Sequence, residues 1–93
     1  MTPFQDKYAL LNGYLAKDGR FDQLPGKRQK KLQHLMFDFL AEQFQKEVEY
    51  TERQVNEILN RHHSFEDPAS LRRFMIGCGL LGRTLDGRTY WRN

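Results

Sequence analysis

The sequence predicts a mostly helical fold with a small β-hairpin, an α+β winged helix-turn-helix preceded by an amino-terminal helix and a short arm. Three observations predict it. Apolar residues recur at helical spacing in four stretches. A Thr51-x-x-Gln54 capping box and an Asp67-Pro68 pair mark two helix starts. Two extended, arginine-bearing segments then flank Asp86-Gly87, a pair suited to the positive backbone angles of a tight two-residue turn.

At 93 residues the chain has room for one modest core. Apolar residues make up 39% and aromatic ones 13%, too much packing material for a disordered tail. No apolar run is long enough to span a bilayer, and the opening residues lack a charged-then-apolar leader pattern. With a single cysteine and so no internal disulfide, the expectation is a cytoplasmic protein.

The elements follow in order. Phe4, Tyr8, Leu11 and Leu15 predict a helix to about Ala16, weakened by Gly13, whose stripe packs on its own domain or on a second copy. Asp18-Gly19 is a turn, and Arg20 to Leu24 is a short extended arm ending at Pro25-Gly26. Residues 1–26 therefore form a helix and arm, and residues 27–93 the winged-helix domain. Lys27-Arg-Gln-Lys-Lys31 opens the central helix, whose core face is Leu32, Leu35, Met36, Phe39, Leu40 and Phe44. Cations in a first helical turn oppose the helix dipole, by about 0.3–1 kcal/mol each, so this cluster is either a phosphate-contacting surface or simply a solvated flank.

Val48 and Tyr50 alternate with Glu49 as a very short strand. The helix that starts at the capping box buries Val55, Ile58 and Leu59 and should end near His62-His63. Ser64 to Pro68 reads as a loop. The third helix of the motif follows, with Leu71, Phe74, Met75 and Cys78 at i, i+3, i+4 and i+7 on one face, Arg72 and Arg73 directed away from it, and Gly79 as its cap. Leu80 to Leu85 and Arg88 to Arg92 are the strands of the wing.

Charge is unevenly spread. Residues 1–26 are neutral, residues 27–46 carry +3, residues 47–67 carry −4 and residues 68–93 carry +4. In a winged-helix fold the third helix enters the major groove and the wing follows the backbone or minor groove. The candidate nucleic-acid contacts are therefore Arg72 and Arg73 on the helix, Arg83, Arg88 and Arg92 on the wing, and Lys27, Arg28, Lys30 and Lys31. A structural role competes for the arginine pair, since Glu52, Glu57, Glu66 or Asp67 could tie one of them to the preceding helix.

Other chemistries find little support. His34, His62, His63 and Cys78 do not make a metal set, because adjacent histidines diverge and only one thiol exists. Cys78, on the apolar face, is expected to be a buried, inert thiol. No phosphate loop, Ser-His-Asp ordering or inward carboxylate pair appears, so neither an enzyme nor a cofactor or small-molecule substrate is expected. Of the aromatic residues near the hairpin, Tyr50 and Trp91 are expected in the core.

The string Tyr50-Thr-Glu-x-x-Val-Asn-Glu-Ile-Leu59, Leu71-Arg-Arg73, Gly79-Leu-Leu-x-Arg83 and Asp86-Gly-Arg-x-Tyr-Trp91 resembles the bacterial domain of unknown function 2087 family, from about Arg20 onward. Members of that family occur alone or fused behind helix-turn-helix domains of the metal-responsive repressor type. The resemblance implies a winged-helix-like fold and a role in transcription regulation, with no activity attached. Gly77 stands where the family commonly has an acidic residue, which implies a looser helix end.

The functional expectation is a small bacterial regulator that binds duplex DNA through the third helix and the wing. The alternative is a protein-interaction module in which the basic segment meets an acidic partner or the acidic helix of another copy, forming a homodimer. An RNA-binding variant lies between the two.

Overall fold

The computed structural model describes residues 4–93. A 3-10 helix, Lys7–Tyr14, is followed by α1 (Lys30–Ala41), α2 (Glu52–Asn60) and α3 (Pro68–Gly77), and then by strands β1 (Leu81–Arg83) and β2 (Tyr90–Arg92). Four helices thus precede a two-stranded antiparallel hairpin, the element order of a winged helix.

The amino-terminal helix is 3-10 over its whole length, shorter than the expected helix to Ala16. Asp6 caps it by accepting the Tyr8 amide hydrogen. Its tighter wind still buries Tyr8 and Leu11, and both join the one hydrophobic core with Phe21, Met36 and Leu40. The stripe therefore packs on this chain. Phe4, Tyr8 and Phe21 surround Phe39 of α1 with ring centroids 4.9, 5.3 and 5.7 Å away. Leu10, between the buried positions, is exposed.

The arm adds to the loop between α2 and α3. Phe21 donates its amide hydrogen to the His62 carbonyl at 2.7 Å and accepts that of Ser64 at 2.9 Å. Its ring fills the core.

Helix α1 begins at Lys30, three residues later than expected. Gln29 donates to the Gly26 carbonyl at 2.8 Å, closing a turn over Lys27 and Arg28, so only Lys30 and Lys31 lie in the first helical turn. No side chain caps that end. Helix α2 starts as read from the sequence: Thr51 Oγ1 accepts the Gln54 amide hydrogen at 3.1 Å, and Gln54 Oε1 accepts that of Thr51 at 2.9 Å. The expected strand at Val48 to Tyr50 reduces to single bridges, Tyr50 with Tyr90 and Lys46 with Arg92, which attach the segment before α2 to the wing.

The hairpin pairs Leu81 with Arg92, Gly82 with Trp91 and Arg83 with Tyr90. Its strands are shorter than expected and its loop longer. Thr84 and Thr89 close the ladder at 2.9 Å, Gly87 donates to the Thr84 carbonyl at 3.0 Å, and only Gly87 takes a positive φ, 71°. The connection is therefore the four residues Leu85 to Arg88 rather than a two-residue turn.

Burial departs from the expectation at four side chains. Leu71 and Met75 are buried, but Phe74 and Cys78 are exposed. Buried positions 71 and 75 define the centre of the inward arc; 74 and 78 fall on one margin, and Arg72 and Ile76 on the other. Tyr90, not Trp91, is the core residue of β2, and Tyr50 and Trp91 are half-buried. Tyr90 and Trp91 point to opposite faces of the hairpin, and only the Tyr90 face meets the helices. Trp91 instead lies across Gly82, where a Cβ would sit 2.4 Å from the indole nitrogen.

Candidate nucleic-acid interface

The third helix is set by its own first residues and by His63. Asp67 Oδ1 accepts the Ser70 amide hydrogen at 3.1 Å, and Pro68 occupies the first helical turn. Hydrogen bonds from Ser70, helped by nearby Arg73, hold the Asp67 carboxyl below its ordinary pKa. His63 is buried; its Nδ1 lies 2.7 Å from the Leu59 carbonyl, and its Nε2 accepts the Asp67 amide hydrogen at 3.2 Å. With an amide donor at Nε2, the ring's hydrogen sits on Nδ1, and this neutral tautomer bolts the end of α2 to the start of α3. Helical spacing from Val55, Ile58 and Leu59 points to His62 as the inward ring, but α2 ends at Asn60 and the chain turns, so His63 is the buried one and His62 is half-buried against Phe39 at 5.6 Å.

The two adjacent arginines of α3 part ways. Arg72 has a side chain only 15% exposed, with Nη2 2.8 Å from Glu52 Oε1. It also donates to Asn56 Oδ1, and its guanidinium lies 5.8 Å from the centroid of the Tyr90 ring. One side chain thus ties α3 to two turns of α2 and to the wing. The expectation that both arginines face away from the apolar side fails for Arg72, because position 72 falls on the margin facing α2 and Glu52 is there to receive it. Arg73 is exposed and makes no ion pair among the described residues.

The wing arginines are mostly turned back onto the chain. Arg83 donates through Nη1 to the carbonyls of Thr84 at 3.1 Å and Leu85 at 3.4 Å. Arg92 is half-buried and donates to the Phe44 carbonyl at 3.2 Å. Arg88 is exposed, with Nε 3.7 Å from Asp86 Oδ2, a contact of little strength in water. Bonds to neutral carbonyls leave the charge on Arg83 and Arg92, but they fix where it points.

Lys27, Arg28, Lys30 and Lys31 are all exposed, border a shallow dish of about 460 Å³, and make no ion pair among the described residues. Contacts between α1 and α3 pair earlier residues of α1 with later residues of α3, so this cluster lies toward the carboxy-terminal end of α3. Phe37 and Phe74 stack with centroids 5.7 Å apart, and Cys78 Sγ lies 3.8 Å from His34 Nδ1. His34 follows Lys30 by four residues and Lys31 by three, so all three share a face of α1.

Cys78 is exposed, contrary to its expected burial. It caps the carboxy-terminal end of α3, donating its amide hydrogen to the Phe74 carbonyl at 2.9 Å. No group of three or more metal-ligating side chains occurs among the described residues. No helix among them is long and apolar enough to cross a membrane.

The acidic residues of α2 are partly neutralised within the chain. Glu52 pairs with Arg72, and Glu57 pairs with Arg53 at 3.4 Å one turn away. Asn56, the second acceptor for Arg72, was not singled out by sequence reasoning, since no local pattern marks an acceptor sixteen residues from its donor.

Helices followed by a hairpin, with α3 held between α2 and the wing, define a winged-helix-type domain. The model of a bacterial family, described as "Uncharacterized protein conserved in bacteria (DUF2087)", matches residues 20–92, and the chain belongs to that family. No curated protein matches the chain, and neither does any solved structure.

Proposed function

We propose that this domain is a bacterial regulator that binds duplex DNA, with the exposed side of α3, the wing and the amino-terminal turn of α1 forming one contact surface. The observation that carries the reading is the group of four exposed cations, Lys27, Arg28, Lys30 and Lys31, none in an ion pair among the described residues, at the start of α1, which the His34–Cys78 and Phe37–Phe74 contacts direct toward the carboxy-terminal end of α3. Arg73 supplies the cation on α3, and Arg83 and Arg88 those on the wing. Arg72 serves by holding α3 in place. The acidic charge of α2, which would repel phosphates, is offset where Arg72 and Arg53 meet Glu52 and Glu57. The role is binding, without catalysis or a cofactor.

The test is fluorescence anisotropy with a random-sequence duplex over a salt series. Affinity should fall as salt rises, with a log–log slope of roughly −0.9 for each phosphate neutralised. Replacing Lys27, Arg28, Lys30 and Lys31 by alanine should weaken binding and flatten that slope while circular dichroism stays unchanged. No binding by the folded wild type at low salt would sink the reading.

One observation favours the second reading, a protein-interaction module. Phe74 is 48% exposed on top of Phe37, an apolar spot beside the cations. A Phe74→Ser variant separates the two: loss of self-association or partner capture with duplex binding intact supports the module.

A further inference from the structure

We propose that the tip of the wing is an apolar wedge for the minor groove of duplex DNA, with Leu85 as the inserted side chain. The inference rests on the duplex-binding reading above and adds how the wing engages its partner.

Leu85 is fully exposed at the end of the hairpin and packs on nothing in the chain. A single exposed leucine is ordinary on a protein surface. This one differs in what holds it and what flanks it. The loop is braced: Thr84 Oγ1 donates to Asp86 Oδ1 at 2.6 Å, and the same oxygen accepts the Arg88 amide hydrogen at 3.0 Å. Gly87 donates to the Thr84 carbonyl at 3.0 Å, and Thr89 to Thr84 Oγ1 at 3.2 Å. Arg83 closes the near side by donating to the carbonyls of Thr84 and Leu85. Most residues satisfy the turn position that Leu85 occupies, so the turn itself does not call for an aliphatic side chain.

The arrangement is a braced tip that presents one aliphatic side chain on a loop whose two ends carry the exposed arginines Arg83 and Arg88. Because the tip is already ordered, insertion would lose little conformational entropy. The minor groove of duplex DNA is narrow and strongly negative. Proteins that bind there use arginine for its potential and push a leucine or similar wedge between base steps, most easily at flexible pyrimidine–purine steps. Asp86 is exposed, but its carboxylate is bonded to the Thr84 hydroxyl and the Arg88 amide and lies beside the Arg88 guanidinium, which offsets its charge. The minor groove of double-stranded RNA is wide and shallow and offers no such slot to a single side chain.

The experiment relaxes a closed circular plasmid with topoisomerase in the presence of the full chain, and measures binding to linear duplex DNA and to double-stranded RNA in parallel. A wedge that unstacks base steps unwinds the helix, so bound wild type should shift the topoisomer distribution and favour DNA over RNA. Leu85→Ser, with unchanged circular dichroism, should bind several-fold more weakly and lose the shift, and Leu85→Met should keep both. A Leu85→Ser variant that shifts topoisomers like the wild type overturns the wedge, as does a wild type that binds without a shift or prefers RNA. Absence of any duplex binding at low salt overturns the duplex-binding reading itself, a different result from binding without unwinding.

Discussion

The chain has two basic regions, and their cations are employed differently. In the carboxy-terminal third, Arg72 and Arg92 send their guanidinium groups back into the fold, to Glu52 and Asn56 and to the turn after α1, while Arg83, though exposed, is tied to the carbonyls of its own wing turn. In the Lys27 to Lys31 cluster every cation points to solvent. Formal charge is thus a poor count of available charge. The more basic third in sequence leaves only Arg73 and Arg88 with a guanidinium free of hydrogen bonds among the described residues, whereas the shorter cluster at the start of α1 leaves all four of its cations free.

This comparison breaks at Arg72 first. Arg72→Ala should lower stability by about 1–3 kcal/mol in denaturant titration, because a half-exposed Glu52 and the Asn56 amide lose their partner. An unchanged midpoint would mean that the clamp is ornamental. Lys30→Ala with Lys31→Ala should act in the opposite direction. Removing cations from a helix start uncapped by any side chain should raise stability by about 0.3–1 kcal/mol per residue, an increase in midpoint that shrinks with added salt. Arg73→Ala should leave the midpoint within about 0.5 kcal/mol of wild type, as expected for a surface change, so any larger fall would place Arg73 with Arg72.

The smallest effect is a pH dependence. Burial, then the neighbouring Arg61 cation, push the His62 imidazole below its ordinary pKa of 6.5. The unfolded chain therefore takes up the proton first. His62 should contribute stability fully above about pH 6.5 and lose it progressively as the pH falls toward the depressed folded value. Thermal midpoints followed from pH 7.5 to 5 should decline less in His62→Gln than in wild type; equal slopes would show that His62 is not the responsible group.

The parts of the fold legible in the sequence are those decided within a few residues. The Thr51 capping box, the Asp67-Pro68 start of α3 and a turn containing Gly87 depend on backbone hydrogens close by, and all three are present. What was not legible depends on the surface opposite. Phe74 and Cys78 match the period of the α3 core face, but α1 reaches that margin through Phe37 and His34 and leaves both exposed. Tyr90 and Trp91 alternate across the strand, and no local pattern says which face the helices cover. At the candidate interface the clamp role open to one of the two arginines was visible in outline. Its assignment to Arg72 required Glu52, Asn56 and Tyr90 to converge from separate elements.

The indole laid across Gly82 ties two positions into one choice. Sliding β2 by a single residue would bring Leu81 or Arg83 opposite the ring, each with a Cβ and a side chain where only a hydrogen fits. Trp91 therefore acts as a register key for the wing. As the only tryptophan in the chain, it also makes hairpin closure directly observable: its fluorescence reports whether the wing has zipped in the right frame, separately from the folding of the helices.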